Sequence, residues 1–234
     1  MEANMKKQKF FSAKNVAYLA VLLALVIVLQ VFASTIPMFG VTLNFSLIPI
    51  VLAGMFFGMW CGGFIGFVAG LVTFLITAVM GREPSTVFLF QADPVILTIV
   101  CIGKTTVAGF IAGLLYKIIS KKNRLVAAYI SSVAVAVINT AIYLLGLMIM
   151  KDAAAAFLGT EATASAVFVA VIGLIWLNSV LEILVNVLFA PAIHRVVLLV
   201  EHTVTGRKKT AEQVSDQTPL SEENETEEHD DHLH

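Results

Sequence analysis

A few polar side chains lie deep inside long apolar segments of this sequence, and they are the residues that could bind a solute. Lys104, Asn139 and Asn178 each stand in a different apolar segment. A lysine attracts an anionic group such as a carboxylate, and an asparagine can both donate and accept hydrogen bonds, which suits amides and hydroxyls. Tyr143 stands one helical turn after Asn139. These residues predict a polar pocket between three helices.

The three residues are expected at a similar depth. Lys104 stands ten residues after Pro94, which places it about 15 Å along a helix and beyond reach of either interface. Asn139 and Asn178 are likewise near the middle of their segments. The pocket is expected to open to the outside of the membrane. Its mouth could be lined by Asn44, Gln91 and Asp93.

The same polar residues have a structural alternative. Glu182 and Asn186 follow Asn178 at intervals of four, so the three share one helix face. Lys104 and Glu182 could then form a buried structural pair, and the asparagines could serve only as contacts between helices. The sequence leaves both interpretations open.

Several kinds of chemistry find no support. Gly103–Lys104–Thr105 resembles the end of a nucleotide-binding GxxxxGK[ST] loop, but Thr98 stands where that loop needs its first glycine. No catalytic arrangement, metal-ligand spacing or cofactor motif is present, and no basic face suits nucleic acid. The sequence therefore predicts a protein that is not an enzyme, and any energy from ATP must come from another chain.

Composition indicates a polytopic, all-α membrane protein. The chain has 234 residues, of which 59% are hydrophobic and 13% charged, and soluble domains carry about twice that share of charge. We predict a basic cytoplasmic flank (1–14), a six-helix membrane domain (15–202) and a disordered acidic cytoplasmic tail (203–234). The six spans are expected at 16–33, 43–57, from a turn at 58–63 to residue 80, and at 95–119, 126–150 and 165–189. Pro191 is expected to kink or stop the last span.

The basic residues indicate the orientation of these spans. Six spans place both termini on one side, and twelve of the fifteen lysines and arginines then fall on that side. Only Arg82 and Lys151 fall on the other, with Lys104 inside a span. Positive residues concentrate on the cytoplasmic side of membrane proteins, so both termini are predicted to be cytoplasmic.

Small residues recur at helical spacing in two places. Glycines stand at every fourth position from Gly54 to Gly70, a pattern that lets neighbouring helix backbones approach closely in lipid. The segment 81–94, which follows this glycine-rich hairpin, is polar and is expected to re-enter the membrane or cap a cavity. In the first span, alanines form a small-residue face that could dock either internally or on a partner; its members are Ala17, Ala20 and Ala24.

The chain resembles the substrate-binding (S) components of energy-coupling factor (ECF) transporters, the bacterial vitamin uptake systems. The features that carry the resemblance are six spans, the alanine face, the hairpin LNFSLIPIVLAGMFFGMWCGGFIGFVAGL and the run GKTTVAGFIAGLLYKI. In the alanine face, Ala20 and Ala24 fit the family's AxxxA motif. The resemblance covers about residues 14–200.

The resemblance implies a multi-pass protein of the bacterial cytoplasmic membrane. It would bind a water-soluble vitamin from outside and dock through Ala17, Ala20 and Ala24 on an EcfT-like membrane coupling subunit, which two ATPase subunits drive. Lys104 favours an anionic vitamin, and pantothenate, with a carboxylate, an amide and hydroxyls, suits a lysine and asparagines. Two other functions remain open: a stand-alone secondary transporter of a small solute, and a membrane scaffold that does not transport.

Overall fold

The computed structural model describes residues 13–33, 37–38, 41–42 and 44–216. The residues up to His194 form one compact unit, which contains the site described below, and those from Arg195 onward belong to a second unit. The elements are α1 (Ala13–Ala33), β1 (Pro37–Met38), β2 (Val41–Thr42), α2 (Leu47–Phe57), α3 (Met59–Phe74) with a π-helical turn (Leu75–Val79), α4 (Pro84–Ala92), α5 (Pro94–Ile119), α6 (Arg124–Ile149), α7 (Lys151–Leu158) and α8 (Ala164–Asp216).

The predicted polytopic helical bundle is confirmed. Among the described residues, five helices are long and apolar enough to cross a membrane: Val16–Ala33, Met59–Val79, Pro94–Ile119, Arg124–Ile149 and Ala164–Ala192. The described residues also contain one short antiparallel pair of strands, β1 and β2, in which Pro37 pairs with Thr42 and Met38 with Val41.

The predicted second span, 43–57, differs from the structure at its outer end. Helix α2 has 11 residues and is about 16 Å long, roughly half the thickness of the hydrocarbon core. The backbone N–H of Asn44 donates a hydrogen bond to Glu182 Oε1 (3.0 Å), and Glu182 lies within the last candidate span, Ala164–Ala192. Because the chain is already inside the bundle at Asn44, α2 does not have to cross the whole of it.

The turn between α2 and α3 is shorter than predicted. Gly58 alone makes it, with φ at +88°, a conformation that side chains with a Cβ rarely adopt. Helix α3 begins at Met59, so Gly62 and Gly63 lie within the helix and not in a turn over 58–63.

The glycines of this hairpin pack backbone against backbone, as their spacing predicts. A Cβ at Gly62 would lie 2.5 Å from the carbonyl oxygen of Gly109 on α5, and a Cβ at Gly66 would clash with the carbonyl oxygen of Thr105. A Cβ at Gly54 would lie 3.0 Å from the Cα of Gly113. Helices α2, α3 and α5 therefore meet at a distance that only glycine permits.

Two short helices lie between the long helices at the predicted outer end. The polar segment after Gly81 forms α4, which buries Ser85, Thr86 and Leu89. Helix α7 buries Ala154 and Ala155. Leu89 and both alanines join one apolar cluster with residues of α3, α5, α6 and α8. Helices α4 and α7 thus contribute to an apolar layer across the bundle.

The last helix extends beyond the predicted end of the membrane domain. Helix α8 continues through Pro191 to Asp216, so Pro191 does not stop it, and residues 203–216 of the predicted tail are helical. The rest of that tail, 217–234, and residues 1–12 of the basic flank lie outside the described residues.

The glycine contacts predict a sharp difference between two Gly→Ala substitutions. Gly66→Ala should lower the melting temperature of the purified protein by about 2 to 10 °C, because its Cβ would overlap rigid backbone on α5. Gly103→Ala is the matched control, since a Cβ at Gly103 meets nothing within 4 Å. Equal melting temperatures for the two variants would contradict the close approach of α3 and α5.

Candidate functional site

A polar cavity lies inside the bundle, between α1, the start of α2, α3, α4, α5, α6 and α8. Its volume is about 40 Å³, which is room for a few water molecules. The cavity is lined by Gln30, Asn44, Thr73, Thr77, Glu83, Thr86, Cys101, Lys104, Asn139, Thr140, Tyr143, Ile175, Asn178, Ser179 and Glu182. Thirteen of these fifteen side chains carry a nitrogen or oxygen atom, an unusual concentration for the interior of a membrane bundle.

The structure brings five of the sequence-predicted residues together around this cavity: Lys104, Asn139, Tyr143, Asn178 and Asn44. The Lys104 ammonium lies over the Tyr143 ring, 4.5 Å from its centroid, which is the geometry of a cation–π interaction. An anionic group that approached Lys104 would therefore meet an ammonium already held in place by an aromatic face.

The other two predicted residues are not among the cavity lining. Gln91 is exposed near the end of α4. Asp93 caps α5, because its Oδ1 accepts a hydrogen bond from the backbone N–H of Ile96 (3.0 Å). A carboxylate at this position satisfies a free N–H at the start of the helix and stabilises it. The structure thus assigns Asp93 a capping contact.

Glu182 connects two parts of the cavity lining, α8 and the segment before α2, by hydrogen bonds. Its Oε1 accepts hydrogen bonds from the backbone N–H of Asn44 (3.0 Å) and from Asn178 Nδ2 (3.2 Å). The side chain is only 5% exposed, and such a buried carboxylate needs donors of this kind. The carboxylate therefore connects α8 to the chain that leads into α2, through Asn44, whose Oδ1 in turn accepts a bond from Ser46 Oγ.

Several polar atoms around the cavity are buried without a hydrogen-bond partner in the part of the chain that the structure describes. They are Gln30 Oε1, Asn44 Nδ2, Thr73 Oγ1, Asn139 Oδ1 and Asn178 Oδ1. Buried polar groups in proteins are almost always hydrogen-bonded. Five such atoms around one cavity leave hydrogen-bonding positions that water molecules or a polar ligand could occupy.

The sequence analysis did not assign most of the hydroxyl-bearing residues to the site. Thr73 and Thr77 stand four apart on adjoining turns of one membrane helix, and Ser179 follows Asn178. Threonine and serine are common in membrane helices as packing residues, so their type carries little signal. Gln30 gave a stronger signal that was missed, because it is an amide in an otherwise apolar first span.

The predicted docking face points away from the bundle. Ala17, Ala20 and Ala24 are all exposed, whereas the opposite face of α1 packs inward through Val26 and Gln30. Among the described residues, the alanine face therefore lies on the surface of the compact unit, where a partner in the membrane could reach it.

A family model described as "ECF transporter, substrate-specific component" matches residues 14–194. The chain belongs to this family. Searches among curated proteins and among solved structures found no match. As an S component, the protein is the substrate-binding subunit of a transporter and is not itself the ATPase. The family works with a membrane coupling subunit and ATPase modules and takes a small-molecule substrate.

The hydrogen bonds of Glu182 in this S component predict how two substitutions differ. Glu182→Leu should destabilise the protein by about 1 to 3 kcal/mol, because it leaves the buried Asn44 N–H without an acceptor. Glu182→Gln keeps an oxygen in that position and should cost clearly less. Thermal unfolding without added substrate measures both, and an equal loss would show that the contact with Asn44 contributes nothing.

Proposed function

We propose that this S component captures a water-soluble vitamin with an anionic group from outside the cell, for ATP-driven import. The observation that supports this most directly is the set of buried polar atoms around the cavity that have no hydrogen-bond partner among the described residues. A scaffold protein has no need to bury polar atoms that its own fold leaves unsatisfied, since each one costs free energy. A polar substrate would supply the missing partners.

Lys104 is the proposed contact for the anionic group of that vitamin. It is the one cationic side chain among the residues that line the cavity, and it lies about 15 Å along α5 from Pro94. Pantothenate is our first candidate, because its carboxylate suits the lysine while its amide and two hydroxyls suit the asparagines and threonines.

Capture requires the cavity to widen. Ligand pockets for molecules of this size are typically about 300 Å³ or larger, whereas the cavity holds about 40 Å³. Thr86 on α4 and Glu83, directly before α4, both line the cavity, and α4 has only nine residues. We propose that α4 moves when the substrate enters, because a helix of nine residues has fewer contacts to break than the long helices of the bundle.

Docking on the transporter is proposed to use the alanine face. Ala17, Ala20 and Ala24 are exposed along one face of α1, and small residues let a partner helix approach closely in the membrane. The proposed partner is the membrane coupling subunit, driven by two ATPase subunits, in the bacterial cytoplasmic membrane with both termini of this chain cytoplasmic.

The proposed substrate is tested by thermal-shift and calorimetric binding of the purified protein against a panel of vitamins. Pantothenate should raise the melting temperature, and Lys104→Met should weaken its binding about 10- to 100-fold through loss of a charge-assisted contact. Lys151→Met serves as the control, because Lys151 is exposed and pairs with Asp152. A vitamin that binds Lys104→Met and the wild type equally would exclude the proposed role of Lys104.

The docking face is tested with Ala20→Leu/Ala24→Leu. This double variant should lose most ATP-dependent uptake and keep its binding affinity within about twofold, because both residues face away from the cavity and bulky side chains block close helix approach. Ala141→Leu, at another exposed alanine on α6, should keep uptake. Loss of substrate binding by the double variant would instead assign the face to packing within this chain.

A further inference from the structure

The wall of the cavity on α8 presents hydrogen-bond acceptors. Asn178 Nδ2 donates to Glu182 Oε1, and this bond fixes which way the amide of Asn178 faces, since a carboxylate accepts only from the NH₂ group. The Asn178 side-chain oxygen, Oδ1, takes no part in this bond and is available to accept another one. It is buried and has no partner among the described residues.

Two further amide groups around the cavity also have a buried oxygen without a hydrogen-bond partner among the described residues. Asn139 Oδ1 on α6 and Gln30 Oε1 on α1 are both buried without a partner in the described part of the chain. Asn139 is 4% exposed and Gln30 is 1% exposed, so bulk water does not satisfy them. Helices α1, α6 and α8 thus each contribute one amide oxygen without a partner in the described ranges to the lining of the same cavity.

The lining offers an anionic ligand one ammonium, Lys104, beside two acidic side chains, Glu83 and Glu182. A ligand that offered only an anionic group would have Lys104 as its partner and would leave the amide oxygens unsatisfied, which costs free energy in a buried site. A ligand that also carries N–H or O–H groups removes this cost.

We infer that the amide oxygens of Asn178 and Asn139 form a subsite of hydrogen-bond acceptors, which binds neutral hydroxyl or N–H groups of the substrate. The Glu182 side chain orients Asn178 by accepting a hydrogen bond from its Nδ2. This inference rests on the proposed function and adds the chemistry that the substrate must have: an anionic group for Lys104 and neutral hydrogen-bond donors at its other end. The donor end lies against α8, because Asn178 and Glu182 are both on that helix.

Asn186 provides a matched control for Asn178. Each asparagine is one helical turn from Glu182, on opposite sides of it along α8. Each has a buried Oδ1 without a hydrogen-bond partner in the described part of the chain. Each also donates through Nδ2 to Glu182, Asn178 to the side chain and Asn186 to the backbone oxygen. Only Asn178 is among the residues that line the cavity.

The experiment measures binding of two compounds to three proteins by calorimetry. The compounds are pantothenate and its analogue in which both hydroxyls are replaced by hydrogen; the proteins are the wild type, Asn178→Ala and Asn186→Ala. Removing the hydroxyls should weaken binding to the wild type and to Asn186→Ala about 10-fold or more. In Asn178→Ala the same change should cost only about threefold or less, because the acceptor is gone.

The opposite results are equally informative. The same loss with the analogue in Asn178→Ala as in the wild type would overturn the subsite. Equal binding of pantothenate and of lipoate, a carboxylate without neutral donors, would also overturn the subsite, but not the proposed transport function. This comparison needs only the wild-type protein, so it remains possible if Asn178→Ala does not fold. Binding of none of the vitamins in the panel would count against the proposed function itself and against the subsite that rests on it.

Discussion

The close approach of α3 and α5 is the contact on which the remaining structure depends. Lipid offers no hydrophobic drive for helix association, so the helices must gain their attraction from tight packing. Glycines at Gly62, Gly66 and Gly109 allow this packing because any Cβ there would overlap opposing backbone. Thr105, whose carbonyl oxygen meets Gly66, directly follows Lys104. The glycine contact therefore also sets the position of the cationic side chain in the cavity.

The second constraint is the cost of polar groups inside a membrane. A carboxylate such as Glu182 is tolerated because backbone and amide donors surround one of its oxygens, and the non-helical chain at Asn44 is tolerated because the same carboxylate accepts its N–H. The Glu182 carboxylate needs a hydrogen-bond donor and the Asn44 N–H needs an acceptor, and one hydrogen bond meets both needs. This mutual dependence explains why α2 is short: the chain before it is held at the level of the cavity by a hydrogen bond and not by helix geometry.

The cavity and the proposed docking face occupy different surfaces of the S component. The cavity faces inward between the helices, whereas Ala17, Ala20 and Ala24 face outward on α1. Gln30, on the inward face of the same helix, lines the cavity. One helix therefore carries both a residue of the candidate site and the proposed docking face, so any shift of α1 would move the two together.

The sequence by itself determined the helical membrane class, the close-packing role of the glycines and the presence of Lys104, Asn139 and Asn178 within the bundle, because composition and helical periodicity depend only on local order along the chain. It could not reveal that Gln91 and Asp93 are not among the residues that line the cavity, or that Thr73 and Glu83 are. Those outcomes depend on how segments distant in sequence meet. The tertiary structure alone decided them, through backbone approach at the glycines and the hydrogen bond from Asn44 to Glu182, a contact between residues 138 positions apart.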